Sequence, residues 1–197
     1  MEYNKEIKAI GKYTMGGKKI ENTMSRLSSI LVVFLLCVAF VYADKFVDVN
    51  TICKKAKNHS FCSALLNSNP SKSRDLVSLA LYTIHVGHIN ATNALNLSDT
   101  LVAKSSHDLE AYTYYSVCSN DFKEIVNILK VAQVDLKSKN YKYLSIYVEN
   151  IRTHVSNCID AKYPIAYPDP SLLPKYAAIV DQDAQIFSII ANYLGQA

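Results

Sequence analysis

The residues best placed to do chemistry are four cysteines, Cys53, Cys62, Cys118 and Cys158, and the chemistry is oxidation to disulfides. A fifth, Cys37, lies inside the apolar run Ile30 to Val41, which has the length of a secretory signal core. Arg26 precedes that run and Val41-Tyr42-Ala43 closes it, with small or apolar residues at the −3 and −1 positions, so cleavage is expected after Ala43. Met24 opens a compact signal sequence of its own and is a second candidate for the translation start. A membrane span wants roughly 20 apolar residues, more than this run supplies, and Asp44-Lys45 follows at once. Four cysteines entering an oxidising compartment imply disulfides, with three pairings open. The sequential one, Cys53 with Cys62 and Cys118 with Cys158, is favoured, and loop entropy assigns it about 3 and about 4 kcal/mol. Four-ligand zinc sites show close cysteine pairs, whereas the gaps here are wide.

Other reactive groups do not converge. His85 and His88, three apart, could share a helix face, but no carboxylate or third histidine stands at helical spacing to complete a metal site. Asp108 with Glu110, and Asp181 with Asp183, are each two apart, which puts the members of a pair on different helix faces. The chain has no Gly-rich phosphate loop, no G-x-S-x-G, no H-E-x-x-H and no C-x-x-C. The expectation is a non-enzyme without cofactor or metal. Six of the 21 Lys and Arg and three of the 17 Asp and Glu fall in residues 1–43, so the remainder carries a net charge of +1. That argues against a nucleic-acid partner, which requires a clustered basic patch. The dense run Lys54, Lys55, Lys57 reads as a solvated face. Asn58, Asn90 and Asn96 each begin an N-x-S/T sequon and are candidate glycosylation sites.

These residues must be positioned by helices. Tyr115, Cys118, Phe122, Ile125, Leu129, Ala132 and Leu136 recur at spacings of three and four, an apolar stripe along one long helix. Leu144, Val148, Ile151, Val155 and Cys158 repeat the pattern, so the two inward cysteines can staple neighbouring helices. The polar break Lys137-Ser138-Lys139-Asn140 is short enough to make those helices antiparallel. Upstream, residues 73–95 read as a helix and 97–105 as a separate shorter one. Downstream, Pro164, Pro168 and Pro170 predict an extended linker over 163–170, followed by a last helix from Asp169-Pro170-Ser171 through Leu194, stopped by Gly195. No alternating run suggests a strand. The expected architecture is all-α: a helical hairpin over 44–70, clamped by Cys53 and Cys62, on an up-and-down four-helix bundle over 71–197. Fourteen tyrosines and no tryptophan are a marked bias; Tyr112, Tyr114, Tyr115 and Tyr141, Tyr143, Tyr147 form two groups of which some members must face solvent.

Cys53 and Cys62 on a short hairpin, Cys118 and Cys158 on two bundle helices, and the stretch DLKSKNYKYLSIYVENIRTHVSNC from Asp135 to Cys158 together resemble the plant invertase and pectin methylesterase inhibitor family. Lys139-Asn140-Tyr141 stands where the family's Lys-x-Tyr turn precedes the helix that ends in the fourth cysteine. The resemblance implies a four-helix bundle with an N-terminal hairpin, sequential disulfides, and inhibition of a cell-wall or vacuolar carbohydrate enzyme by a one-to-one complex. The protein partner is then a pectin methylesterase, or alternatively an acid invertase. The protein is expected to be secreted to the apoplast or the vacuole, to be monomeric when free, and to have no membrane contact once the signal is removed. There are departures: Val117 precedes Cys118 where family members often carry Asp, Phe122 keeps an aromatic place, and Ile125 replaces a small residue. At the turn, invertase inhibitors carry Pro-Lys-Phe, whereas this chain reads Tyr141-Lys142-Tyr143. Lys139, Tyr141, Lys142 and Tyr143 are the candidate target-binding residues. A non-inhibitory storage, ligand-carrying or interaction bundle is the reading of another class, and it would be favoured by an apolar cavity inside the bundle.

Overall fold

Three aspartate- and asparagine-headed segments set the helical frame, because each side chain satisfies a backbone N–H that the first helical turn leaves open. Asn58 accepts from the N–H of Phe61, Asp75 from that of Ser78 at 2.8 Å, and Asp108 from that of Ala111. The structure, a computed structural model, describes residues 31–33, 47–160 and 167–195. In chain order the elements are α1 (Val49–Cys53), α2 (His59–Asn67), α3 (Leu76–Lys104), α4 (Leu109–Lys137), a 3-10 turn (Tyr141–Tyr143), α5 (Leu144–Ile159) and α6 (Leu173–Gly195). Residues 31–33, in a separate unit, form a piece of helix with exposed side chains. The cleavage point after Ala43, the start at Met24, Cys37 and the linker residues 163–166 lie outside the described residues.

The bundle is all-helical, as its periodicity requires. Each of α3 to α6 packs on two neighbours, in the cyclic order α3, α4, α5, α6. Every residue of the two apolar stripes, from Tyr115 to Leu136 and from Leu144 to Cys158, is buried. Phe122, Ile125, Ile151 and Phe187 are among the largest fully buried side chains. Cys118 on α4 is bonded to Cys158 on α5, and Cys53 on α1 to Cys62 on α2. The short pair α1–α2 leans on α6, where Gln185 accepts from the N–H of Lys57 (2.9 Å) and Gln182 from the side-chain amide of Asn58 (2.7 Å).

Three sequence expectations are corrected. Residues 73–95 and 97–105 are not two helices; α3 is continuous from Leu76 to Lys104. The polar stretch carries on the helix because Ala91, Ala94 and Ser98 bury its inward face, and Thr92, Ser98 and Thr100 satisfy their hydroxyls on the carbonyls four residues back. The helix starts at Leu76 because Asp75, not Ser73, is the residue that caps it. At the other end of the chain, Asp169 takes the N–H of Ser171 and Ser171 that of Leu173, so α6 begins two residues beyond the predicted point. The hydroxyl of buried Tyr115 donates to the same Asp169 carboxylate at 2.7 Å, which pins the segment leading into α6.

Candidate target-binding surface

The turn between α4 and α5 is built by a Schellman closure. The N–H of Asn140 reaches the carbonyl of Asp135 (2.9 Å) and that of Lys139 the carbonyl of Leu136 (3.1 Å), which places Lys139 at the left-handed position with φ 59°. Glycine is the usual occupant there, since a Cβ in that conformation carries a penalty of about 1 kcal/mol. Lys139→Gly should therefore raise the stability by up to about 1 kcal/mol, read as a higher urea midpoint; a lowered midpoint would show that the lysine makes a compensating contact.

Beyond that closure, Tyr141, Lys142 and Tyr143 form the 3-10 turn that starts α5. The four candidate residues stand together on one projecting corner but differ in character. Lys139, Lys142 and Tyr143 are exposed, and the Lys142 ammonium sits 5.3 Å from the centroid of the Tyr143 ring. Tyr141 is half-buried, and its phenol is pushed up first by burial and then by the charge of Asp75. Tyr147, on the first turn of α5, donates to Asp135 at 2.7 Å, and this bond holds its proton above the usual phenol range. Of the other tyrosine group, Tyr114 and Tyr115 turn inward and only Tyr112 is exposed. A second exposed feature lies along α4, where Tyr112, Val131 and Val134 are 46 %, 49 % and 62 % exposed. Val131 and Val134 are three residues apart, and the helix they occupy is about 43 Å long.

No catalytic arrangement is assembled among the described residues, and no three metal-ligating side chains come together there. His85 is exposed and His88 half-buried, the latter held below its ordinary value by burial, then by Lys130 and His85. Asp181 faces out to Arg152 at 2.9 Å, while Asp183 is buried and accepts from Asn90 at 2.7 Å. The latter contact joins a sequon asparagine to a core carboxylate 93 residues away, and no local sequence signal reports it. The Asn58 amide is likewise committed to Gln182, whereas Asn96 points outward. His154 contacts Asp121 at 2.7 Å, one turn from the Cys118–Cys158 bond.

Residues 47–166 match the family model described as plant invertase/pectin methylesterase inhibitor. The chain belongs to this family. Members are named as inhibitors, not enzymes. "Pectinesterase inhibitor 2" of Arabidopsis thaliana is 32 % identical over 112 residues, 56 % of this chain and 64 % of that protein. "Pectinesterase inhibitor" of Actinidia deliciosa is 27 % identical over 114 residues, 57 % of this chain and 61 % of that one. The chain thus spans less than two thirds of the length of these relatives. Two crystal structures share the fold: a mutant form of a pectin methylesterase inhibitor from Arabidopsis (TM-score 0.64, 23 % identity, 73 % of this chain and 95 % of that one) and a pectin methylesterase inhibitor from Arabidopsis thaliana (TM-score 0.56, 23 % identity, 74 % and 95 %). Within the inhibitor family frame, Ile125 at a small-residue position is fully buried, so that departure concerns the core and not the surface.

Proposed function

We propose that the protein is secreted into the cell wall and inhibits a pectin methylesterase as a one-to-one complex, with outward faces of α3 and α4 laid over the esterase cleft. The carrying observation is the α4 face, a rigid 29-residue helix with Tyr112, Val131 and Val134 turned to solvent. Inhibition of this kind needs no reactive group. It needs an interface of about 1,600 Å² with an apolar centre and polar rim. The curated relatives support esterase over invertase, since both are named pectinesterase inhibitors. A second reading, inhibition of acid invertase, is favoured by Lys142, whose exposed ammonium could approach acidic catalytic carboxylates. Cargo carriage has less to rest on: the cavity at the bundle centre, beside Gly87 and Asp183, measures about 10 Å³, room for one water.

The test is a parallel titration of the secreted 44–197 form against a plant pectin methylesterase and a plant acid invertase. We expect near-stoichiometric inhibition of the esterase, lost by roughly tenfold or more when Val131→Asp and Val134→Asp place charge on the α4 face. Lys142→Ala should leave esterase inhibition intact and abolish any inhibition of invertase. Full potency of the aspartate variants would remove α4 from the contact, and inhibition of neither enzyme would end the inhibitory reading.

A further inference from the structure

In the up-and-down arrangement α3 begins where α4 and α6 end, and that end of the bundle carries two open polar grooves. The larger, about 660 Å³, lies between the Lys139–Tyr143 turn and the last turn of α6. Lys139 and Lys142 are the charged ones among the described residues lining it, and Asn140, Tyr141, Ser145 and Asn192 supply amide and hydroxyl groups above the nearly buried Ala191 and Leu194. Among the described residues no carboxylate lines it. The two acids that the turn does feel are occupied elsewhere: Asp135 accepts from Tyr147 and from the Asn140 amide, and Asp75 caps α3. The smaller groove, about 350 Å³, repeats this chemistry with Lys72, Arg74, Asn67, Asn69 and Ser73. Arg74 is held only by a 3.8 Å contact to Asp48 in which both side chains are more than half exposed. Lys72, like Lys139, occupies a left-handed backbone position, φ 52°. Two such positions in two grooves hold lysine where glycine or asparagine would be less strained, and strain of that kind persists where the side chain has a use.

Cations with no described acid beside them select an anion, and clustered amides and hydroxyls select a polyhydroxylated ligand. A ring bearing a carboxylate satisfies both. Two lysines three residues apart, with a second basic groove at the same end, ask for more than one carboxylate. The geometry points to this end of the bundle as a binding site for an oligomer of hexuronic acid, with Lys139 and Lys142 holding its carboxylates. The site is distinct from the α4 valines, so an esterase held on α4 would leave it open, whereas it shares Lys142 with the invertase reading and an enzyme bound through that turn would compete with the oligomer. Bound there, the protein would be retained where a wall polysaccharide carries free carboxylates.

The test is a titration of the 15N-labelled 44–197 form with trigalacturonate, followed by amide chemical shifts. Parallel arms use fully methyl-esterified trigalacturonate, maltotriose and sodium acetate at equal carboxylate concentration. Trigalacturonate should shift the amides of residues 139–145 and 192–195 saturably and less strongly at high salt, while the ester and the neutral sugar should not. Lys139→Asn, which tolerates the left-handed backbone, combined with Lys142→Gln should raise Kd roughly a hundredfold, about tenfold for each charge-assisted contact. Lys54→Gln with Lys57→Gln, elsewhere on the surface, should leave Kd unchanged, and unchanged dispersion of the spectra confirms that all variants are folded. Absence of shifts at the groove, equal shifts with acetate or with the ester, or unaltered affinity of the Lys139/Lys142 variant would each overturn the assignment.

Discussion

Thermal unfolding of residues 44–197 should become easier as pH rises from about 4 to about 7.5, and Asp183→Asn should remove most of that slope. Asp183 is only 2 % exposed. Burial pushes its carboxyl up from 3.8 to about 7, a rise only partly opposed by the bond from the Asn90 amide to Oδ2. Its Oδ1 is buried without a partner. The groups that face it are Thr83, Ile84, Gly87 and Asn90 on α3, Leu129 on α4, Ile151 on α5, and Val180, Ala184 and Phe187 on its own helix, none of them charged. No cation is therefore at hand to favour the ionised form. A carboxyl whose folded value lies above its unfolded one binds an extra proton in the folded state between the two. Its contribution is whole below about 4, declines as pH climbs through about 7, and is flat above. About three pH units correspond to on the order of 4 kcal/mol, or roughly 10 °C in the midpoint of a domain this size. Calorimetry at pH 4 and pH 7.5 should show wild type losing stability across that interval and Asp183→Asn gaining most of it back at the upper end, with little difference between them at the lower. Parallel pH profiles for the two proteins would mean that Asp183 stays ionised in the fold or titrates as it does in the unfolded chain.

What could be read in advance follows from how far each signal reaches along the chain. The stripe from Tyr115 to Leu136 is legible because helical spacing is a local property, and every member of it is buried. The turn at residues 138–140 is legible as a break, but not as a Schellman closure, because lysine stands where the signal is glycine. The unity of α3 is hidden by Asn93, Asn96, Ser98 and Asp99, residues that favour turns until their hydroxyl neighbours are seen bonding back into the helix. Asp183 could be placed on a different face from Asp181, but its burial against Asn90 joins two helices at opposite ends of the sequence. The candidate surface divides in the same way. Lys139, Tyr141, Lys142 and Tyr143 were visible as a turn, whereas the groove behind them needs Asn192 and the end of α6, which only the closed bundle supplies.

Replacing Cys118 and Cys158 together by alanine should lower the unfolding midpoint by about 8–16 °C, far more than the same change at Cys53 and Cys62. The longer loop, 40 residues, restricts the unfolded chain by about 4 kcal/mol on the loop-entropy account, and the shorter, 9 residues, by about 3. Those figures alone predict similar losses. All four cysteines are fully buried, so what separates the two bonds is the length of the helices each one joins. Cys118 and Cys158 are fully buried between α4 and α5 in the middle of the cooperative core, with Phe122 and Val155 one turn away. Their loss is felt by the whole bundle at about 2–4 °C per kcal/mol. Cys53 and Cys62 join two helices of 5 and 9 residues that bury Val49, Ile52, Leu65 and Leu66 in the shared core, with Gln182, Gln185 and the Lys55 ammonium over the Tyr193 ring at the edge of that contact. Opening that bond should release the hairpin locally while α3 to α6 remain folded, so the global midpoint should move by only a few degrees as hairpin amides lose hydrogen-exchange protection. Circular dichroism melts of the two double variants, with exchange measured on the second, check both halves. Equal midpoint losses would show that the hairpin unfolds together with the bundle as one unit; if so, inhibition measured after reduction could not be credited to either element separately, whereas unequal losses allow the hairpin's part in target binding to be tested on a bundle that is still intact.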